Sequence, residues 1–178
     1  MKLPRTIRLD PSDCIVFEHA AEPGEWAVPG SFMFWDADVK TLAGKARTAF
    51  RSGFVGVVSL GFATLVAVAE ASETERERAV EALARHFVAR FGAPDIATAR
   101  AAARAELDFA ASLCGHPVGT VIAMHRRLDG SGIREQFRTL QPRETDSLHA
   151  RSRAFTFVEV EEEPERVDLL GLLESKRP

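Results

Sequence analysis

The chain has 178 residues, 46% hydrophobic and 28% charged, the mix of one folded domain; this excludes a disordered chain, a collagen or a disulfide scaffold. Its 23 basic and 26 acidic residues leave a net charge of −3, so the cationic excess of a general nucleic-acid binder is missing. The basic residues are 19 Arg and 4 Lys, and the aromatic ones are 12 Phe and 2 Trp with no Tyr. Arg forks suit carboxylates and phosphates, although an Arg-rich composition also follows from the codon bias of a GC-rich genome.

Arg5 to Leu9 alternates polar and apolar side chains and reads as a strand. Cys14-Ile15-Val16-Phe17, opened by Pro11-Ser12-Asp13, reads as a second strand. Glu22-Pro23-Gly24-Glu25 is a turn, after which Trp26 to Trp35 resumes as a strand bent at Pro29-Gly30. Asp36 or Asp38 is placed to cap a helix that carries Val39, Leu42, Ala43, Ala46, Ala49 and Phe50 on one face and stops before Gly53. Ser52 to Ala69 is an uncharged stretch at the lower length limit for a membrane span. Its three glycines and many β-branched residues favour a buried hairpin that turns at Ser59-Leu60-Gly61.

Ser72-Glu73-Thr74-Glu75 is a capping box. The helix it opens puts Ala79, Val80, Leu83, Ala84, Phe87, Val88 and Phe91 on one stripe and ends at Gly92, with Pro94 forbidding continuation. Asp95 caps the next helix, whose stripe is Ile96, Ala99, Ala103, Leu107, Ala110 and Cys114, with Gly115 and Pro117 as its stop. The short link makes the pair an antiparallel helical hairpin. Val118 to Arg127 and Ile133 to Leu140 are strands joined by Asp129-Gly130-Ser131-Gly132, residues that tolerate positive φ. Gln141 to Arg153 is a polar loop, and Ala154 to Val160 alternates as a last strand before the acidic run Glu161 to Glu163. The order predicts an α+β fold, an antiparallel sheet with a helical hairpin and one further helix. Residues 1–163 form the domain and 164–178 a docked C-terminal tail.

No motif names a reaction. Cys114-Gly115-His116 is the nearest approach to a reactive pair, yet Cys114 lies on an apolar stripe at a helix C-terminus, where the dipole opposes a thiolate. His19, His86, His116, His125 and His149 form no ligand spacing, and with two cysteines 100 positions apart no metal or cofactor is expected. There is no nucleophile elbow and no phosphate loop. Glu18 and Glu70 read as solvated strand ends. Met1 to Asp10 carries Lys2, Arg5 and Arg8 and no apolar core of signal-peptide length, so a cytoplasmic protein is expected.

Two features remain as interaction surfaces. The hairpin carries Arg126, Arg127, Arg134 and Arg138, of which Arg134 and Arg138 share a side at period two. They suit an acidic partner, or a solvated face neutralised by Glu135 or by the acidic run. The tail places Val167, Leu169, Leu170, Leu172 and Leu173 within seven positions. That segment packs back on its own domain, or docks on a protein partner or a second copy.

Phe17-Glu18 with Ala20-Ala21-Glu22-Pro23-Gly24-Glu25-Trp26, Phe34-Trp35-Asp36, Phe50-Arg51-Ser52-Gly53-Phe54, and Ala110-Ala111-Ser112-Leu113-Cys114 with His116-Pro117 run through most of the chain. Together they resemble a small uncharacterised family of alphaproteobacterial proteins, a domain of unknown function. The resemblance implies no assigned activity and a setting beside genes that assemble iron–sulfur or molybdenum redox enzymes. The expectation is a non-catalytic accessory or protein-interaction module; the alternative is a small-molecule binder or enzyme with an unfamiliar site. Neither nucleic acid nor a membrane is expected as a partner.

Overall fold

The computed structural model describes residues 1–130 and 132–140. Their secondary structure bears out the α+β expectation. Strand β1 (Lys2–Ile7) pairs antiparallel with β5 (Leu65–Glu70), from Lys2 opposite Glu70 to Ile7 opposite Leu65. Strand β5 then pairs with β6 (Val121–Asp129) only from Leu65 opposite Ala123 to Ala67 opposite Val121. Strand β7 (Gly132–Leu140) pairs with β6 along its whole length, giving the order β1-β5-β6-β7. A smaller antiparallel sheet orders β2 (Ala27–Val28), β3 (Phe54–Gly56) and β4 (Phe62–Ala63) as β2-β3-β4. The expected hairpin in the uncharged stretch is thus β3–β4, with its turn passing through Leu60 at φ 54°. Among the described residues no helix is long and apolar enough to cross a membrane.

The two long helices form where caps and stripes predict them. In α3 (Glu73–Arg90) the Ser72 hydroxyl accepts from the Glu75 N–H at 3.3 Å and the Glu75 carboxylate accepts from the Ser72 N–H at 2.9 Å. In α4 (Ile96–Ser112) the Asp95 carboxylate accepts from the Thr98 N–H at 2.8 Å. Their stripes meet Leu3, Val28, Val55 and Val57 in one core. Arg100 binds Glu81 through two bonds of 2.8 and 3.1 Å, and Arg76 reaches Asp108 at 2.7 Å, tying α3 to α4. Val88 and Ile96, assigned to the stripes, are exposed at 42% and 38%; each sits at the margin of its helix's apolar arc.

Three expectations are corrected. Cys14 to Phe17 is not a strand: Ser12–Val16 forms a short helix, α1. The Asp10 carboxylate accepts the Ser12 N–H at 2.8 Å, and buried Asp13 accepts the Thr64 hydroxyl at 2.6 Å, a contact across 51 residues that a helical turn makes available. Trp26 to Trp35 keeps only β2 as strand, because Gly30 at φ 75° turns the chain into a 3-10 helix, Ser31–Phe34. A Cβ at Gly30 would collide with the Val55 side chain, so both the backbone angle and the close approach require glycine. The next helix, α2 (Gly44–Ser52), starts later than Asp38 predicts. Asp38 closes its own turn instead, its carboxylate taking the Lys40 N–H and its carbonyl the Thr41 N–H and hydroxyl. Helix α2 packs beside β6, whose second half extends beyond its pairing with β5. The expected strand at Ala154–Val160 and the apolar tail lie outside the described residues.

Candidate functional site

Side chains alternate along the β6–β7 hairpin, so its two faces are chemically separate. Ile122, Met124 and Arg126 of β6 point inward, as does Glu135 of β7. Arg126 is therefore no part of an exposed surface; it is fully buried, and the expectation that grouped it with Arg127 is corrected. The reason is parity: it shares the inward phase of Ile122 and Met124, whereas Arg127 takes the outward one.

Burying a guanidinium costs several kcal/mol unless its donors are met. Arg126 meets this through Nε to Glu135 Oε1 at 2.7 Å, Nη1 to the Phe50 carbonyl at 2.8 Å and Nη2 to the Pro29 carbonyl at 2.6 Å. Its plane also lies over the Phe34 and Phe50 rings, 5.6 and 5.7 Å from their centroids. The clamp joins β6, β7, the end of α2 and the turn after β2.

The second oxygen of Glu135, Oε2, is buried without a hydrogen-bond partner. Glu106 of α4 faces the same pair. Burial pushes its carboxyl up to about 7, the Glu135 charge pushes the same way, and Arg126 opposes both. The sequence does not single out Glu106, and the expectation that Glu135 neutralises the exposed arginines is corrected, since it is buried against Arg126. The signal is present: Ala99, Ala103, Glu106 and Ala110 follow helical spacing, so Glu106 lies at the edge of the buried stripe beside Leu107.

The outward face carries His125 and Arg127 from β6 and Arg134 and Arg138 from β7, with Arg127 opposite Arg134. Arg51, from the last turn of α2, brings Nη2 to 3.5 Å from His125 Nε2. A guanidinium only donates, so this contact suits a neutral imidazole accepting at Nε2. Burial lowers the His125 pKa, and Arg51, Arg127 and Arg138 lower it further. Arg134 is neutralised by Asp129, with Nε 2.7 Å from Oδ2. Among the described residues neither Arg51 nor Arg127 meets a carboxylate at ion-pair distance. The arrangement favours an incoming anion over a free cationic surface.

Of the remaining candidates, Leu169, Leu170, Leu172 and Leu173 lie outside the described residues. Cys114 is buried, with Sγ 3.6 Å from the Ala110 carbonyl, and burial pushes its thiol up to about 11, whereas Cys14 is exposed. Glu18 and Glu70 are exposed. Among the described residues no three His, Cys, Asp or Glu side chains gather as a metal site.

Residues 1–154 match the model of a family of unknown function, DUF6505. No curated protein matches the chain. No solved structure matches it either.

Proposed function

The chain belongs to that family of unknown function, and from this premise we propose that it is a non-catalytic accessory module that docks an acidic segment of a partner protein on the outward face of the β6–β7 hairpin. One observation carries the reading: Arg51 Nη2 stands 3.5 Å from His125 Nε2, whose pKa is lowered first by burial and then by repulsion from Arg51, Arg127 and Arg138, and Arg51 and Arg127 have no carboxylate among the described residues. Carboxylates arriving there would relieve that repulsion and meet guanidinium forks ready for them. A redox enzyme under assembly as partner is the part of the proposal that the family resemblance suggests, and a cytoplasmic setting is proposed with it.

The test is binding of a fluorescent hexaglutamate peptide to the full chain, measured against salt. Binding that weakens as salt rises, and falls about tenfold or more in an Arg51→Gln, Arg127→Gln double variant, supports the reading. Binding unchanged by that pair of substitutions refutes it. A second reading, a small-molecule binder or enzyme, is favoured by Glu106, whose carboxyl is pushed up to about 7, beside the half-satisfied Glu135. A stoichiometric small molecule seen by native mass spectrometry and lost on Glu106→Gln would move the assignment to that reading.

A further inference from the structure

The arginine face and the acidic run belong to one chain. We infer that the run from Glu159 to Glu165 occupies the outward face of the β6–β7 hairpin when no partner is bound, and so competes with the partner. The inference rests on the docking reading above and adds its regulation.

Charge complementarity is the first argument. Glu159, Glu161, Glu162, Glu163 and Glu165 put five carboxylates into residues 159–165 with no basic residue among them. The face opposite offers Arg51, at the end of α2, and Arg127, in β6 with His125, neither of which meets a carboxylate among the described residues. Reach is the second. The described residues end at Leu140, which is paired with Val121. Arg134, the partner of Arg127, lies six residues back along β7, roughly 20 Å at the strand rise. Residues 141–158 can span up to about 60 Å, so the run reaches every arginine of the face with slack.

A tethered segment acts at an effective concentration on the order of 1 mM, so with an intrinsic Kd of about 0.1 mM it weakens binding of an equivalent free peptide about tenfold relative to a chain whose run is neutralised. The probe is a peptide of residues 157–167, titrated into the unaltered full chain and into a full-length variant carrying Glu159→Gln, Glu161→Gln, Glu162→Gln, Glu163→Gln and Glu165→Gln. The expected result is about tenfold tighter binding to the variant, lost again when Arg127→Gln is added. Equal affinity for the two chains overturns the inference and leaves the docking reading standing. No binding to either chain overturns both. If the fivefold variant does not fold, the Glu161→Gln, Glu162→Gln, Glu163→Gln chain carries the same comparison.

Discussion

Glu106→Gln should stabilise this protein, and by an amount set by pH. The Glu106 carboxyl is pushed from 4.5 to about 7 in the folded chain, first by burial and then by Glu135. A raised carboxyl pKa means that the folded state holds a proton the unfolded state has already released. The associated stability is full below the unfolded value and is lost as pH rises through the folded one. The gap is about 2.5 pKa units, worth about 3 kcal/mol once Glu106 is ionised in both states. Glutamine copies the protonated carboxyl in shape and never ionises. The variant should therefore match the parent near pH 4 and exceed it by about 3 kcal/mol at pH 8.5. Urea denaturation at a series of pH values measures this directly, since the difference between two chains cancels every other titrating group. A stability difference that stays constant from pH 4 to pH 8.5 would refute the placement of Glu106 against Glu135.

Arg126→Met should cost about 3–5 kcal/mol by leaving Glu135 charged and unpaired, while the Arg126→Met, Glu135→Leu double variant should recover much of that loss in the same denaturation assay. Arg127→Gln, on the outward face, should shift stability by no more than about 0.5 kcal/mol while weakening hexaglutamate binding, so the two strand neighbours separate structure from docking. Leu83→Ala in the α3 stripe should cost about 2–5 kcal/mol; an unchanged denaturation midpoint would remove that face from the core. A thiol reagent should label Cys14 in the native chain and reach Cys114 only on unfolding, which peptide mapping after timed quenching reads out.

Local chemistry made part of this fold legible. The α3–α4 hairpin could be read because each start has a side-chain cap and each interior repeats at 3.6 residues, signals that need no knowledge of the rest of the chain. The β6–β7 hairpin could be read from alternation and its glycine-rich link. Helix α1 could not, because a four-residue apolar run fits a strand or a helical turn equally, and the contact that decides it, Asp13 to Thr64, spans 51 residues. The buried side of the candidate site was misread for a different reason. Charge suggests exposure at Arg126, although it keeps the inward phase of Ile122 and Met124, and Glu106, which the sequence reading leaves aside, keeps the spacing of Ala103 and Ala110. Periodicity was the stronger signal at both positions. The outward set lacked Arg51, which reaches His125 across 74 residues.

The Arg126 clamp also bears on how quickly the protein comes apart. Its bonds to Phe50 and Pro29 close loops of 76 and 97 residues, and each loop closes at an entropic cost before the bond repays it. A guanidinium gives up its water only when all three acceptors stand in place, which requires β6, β7, the end of α2 and the turn after β2 to be docked together. Late formation of contacts this demanding is the expectation to test: Arg126→Met should then speed unfolding more than it slows folding, making the arginine a lock on the lifetime of the native state.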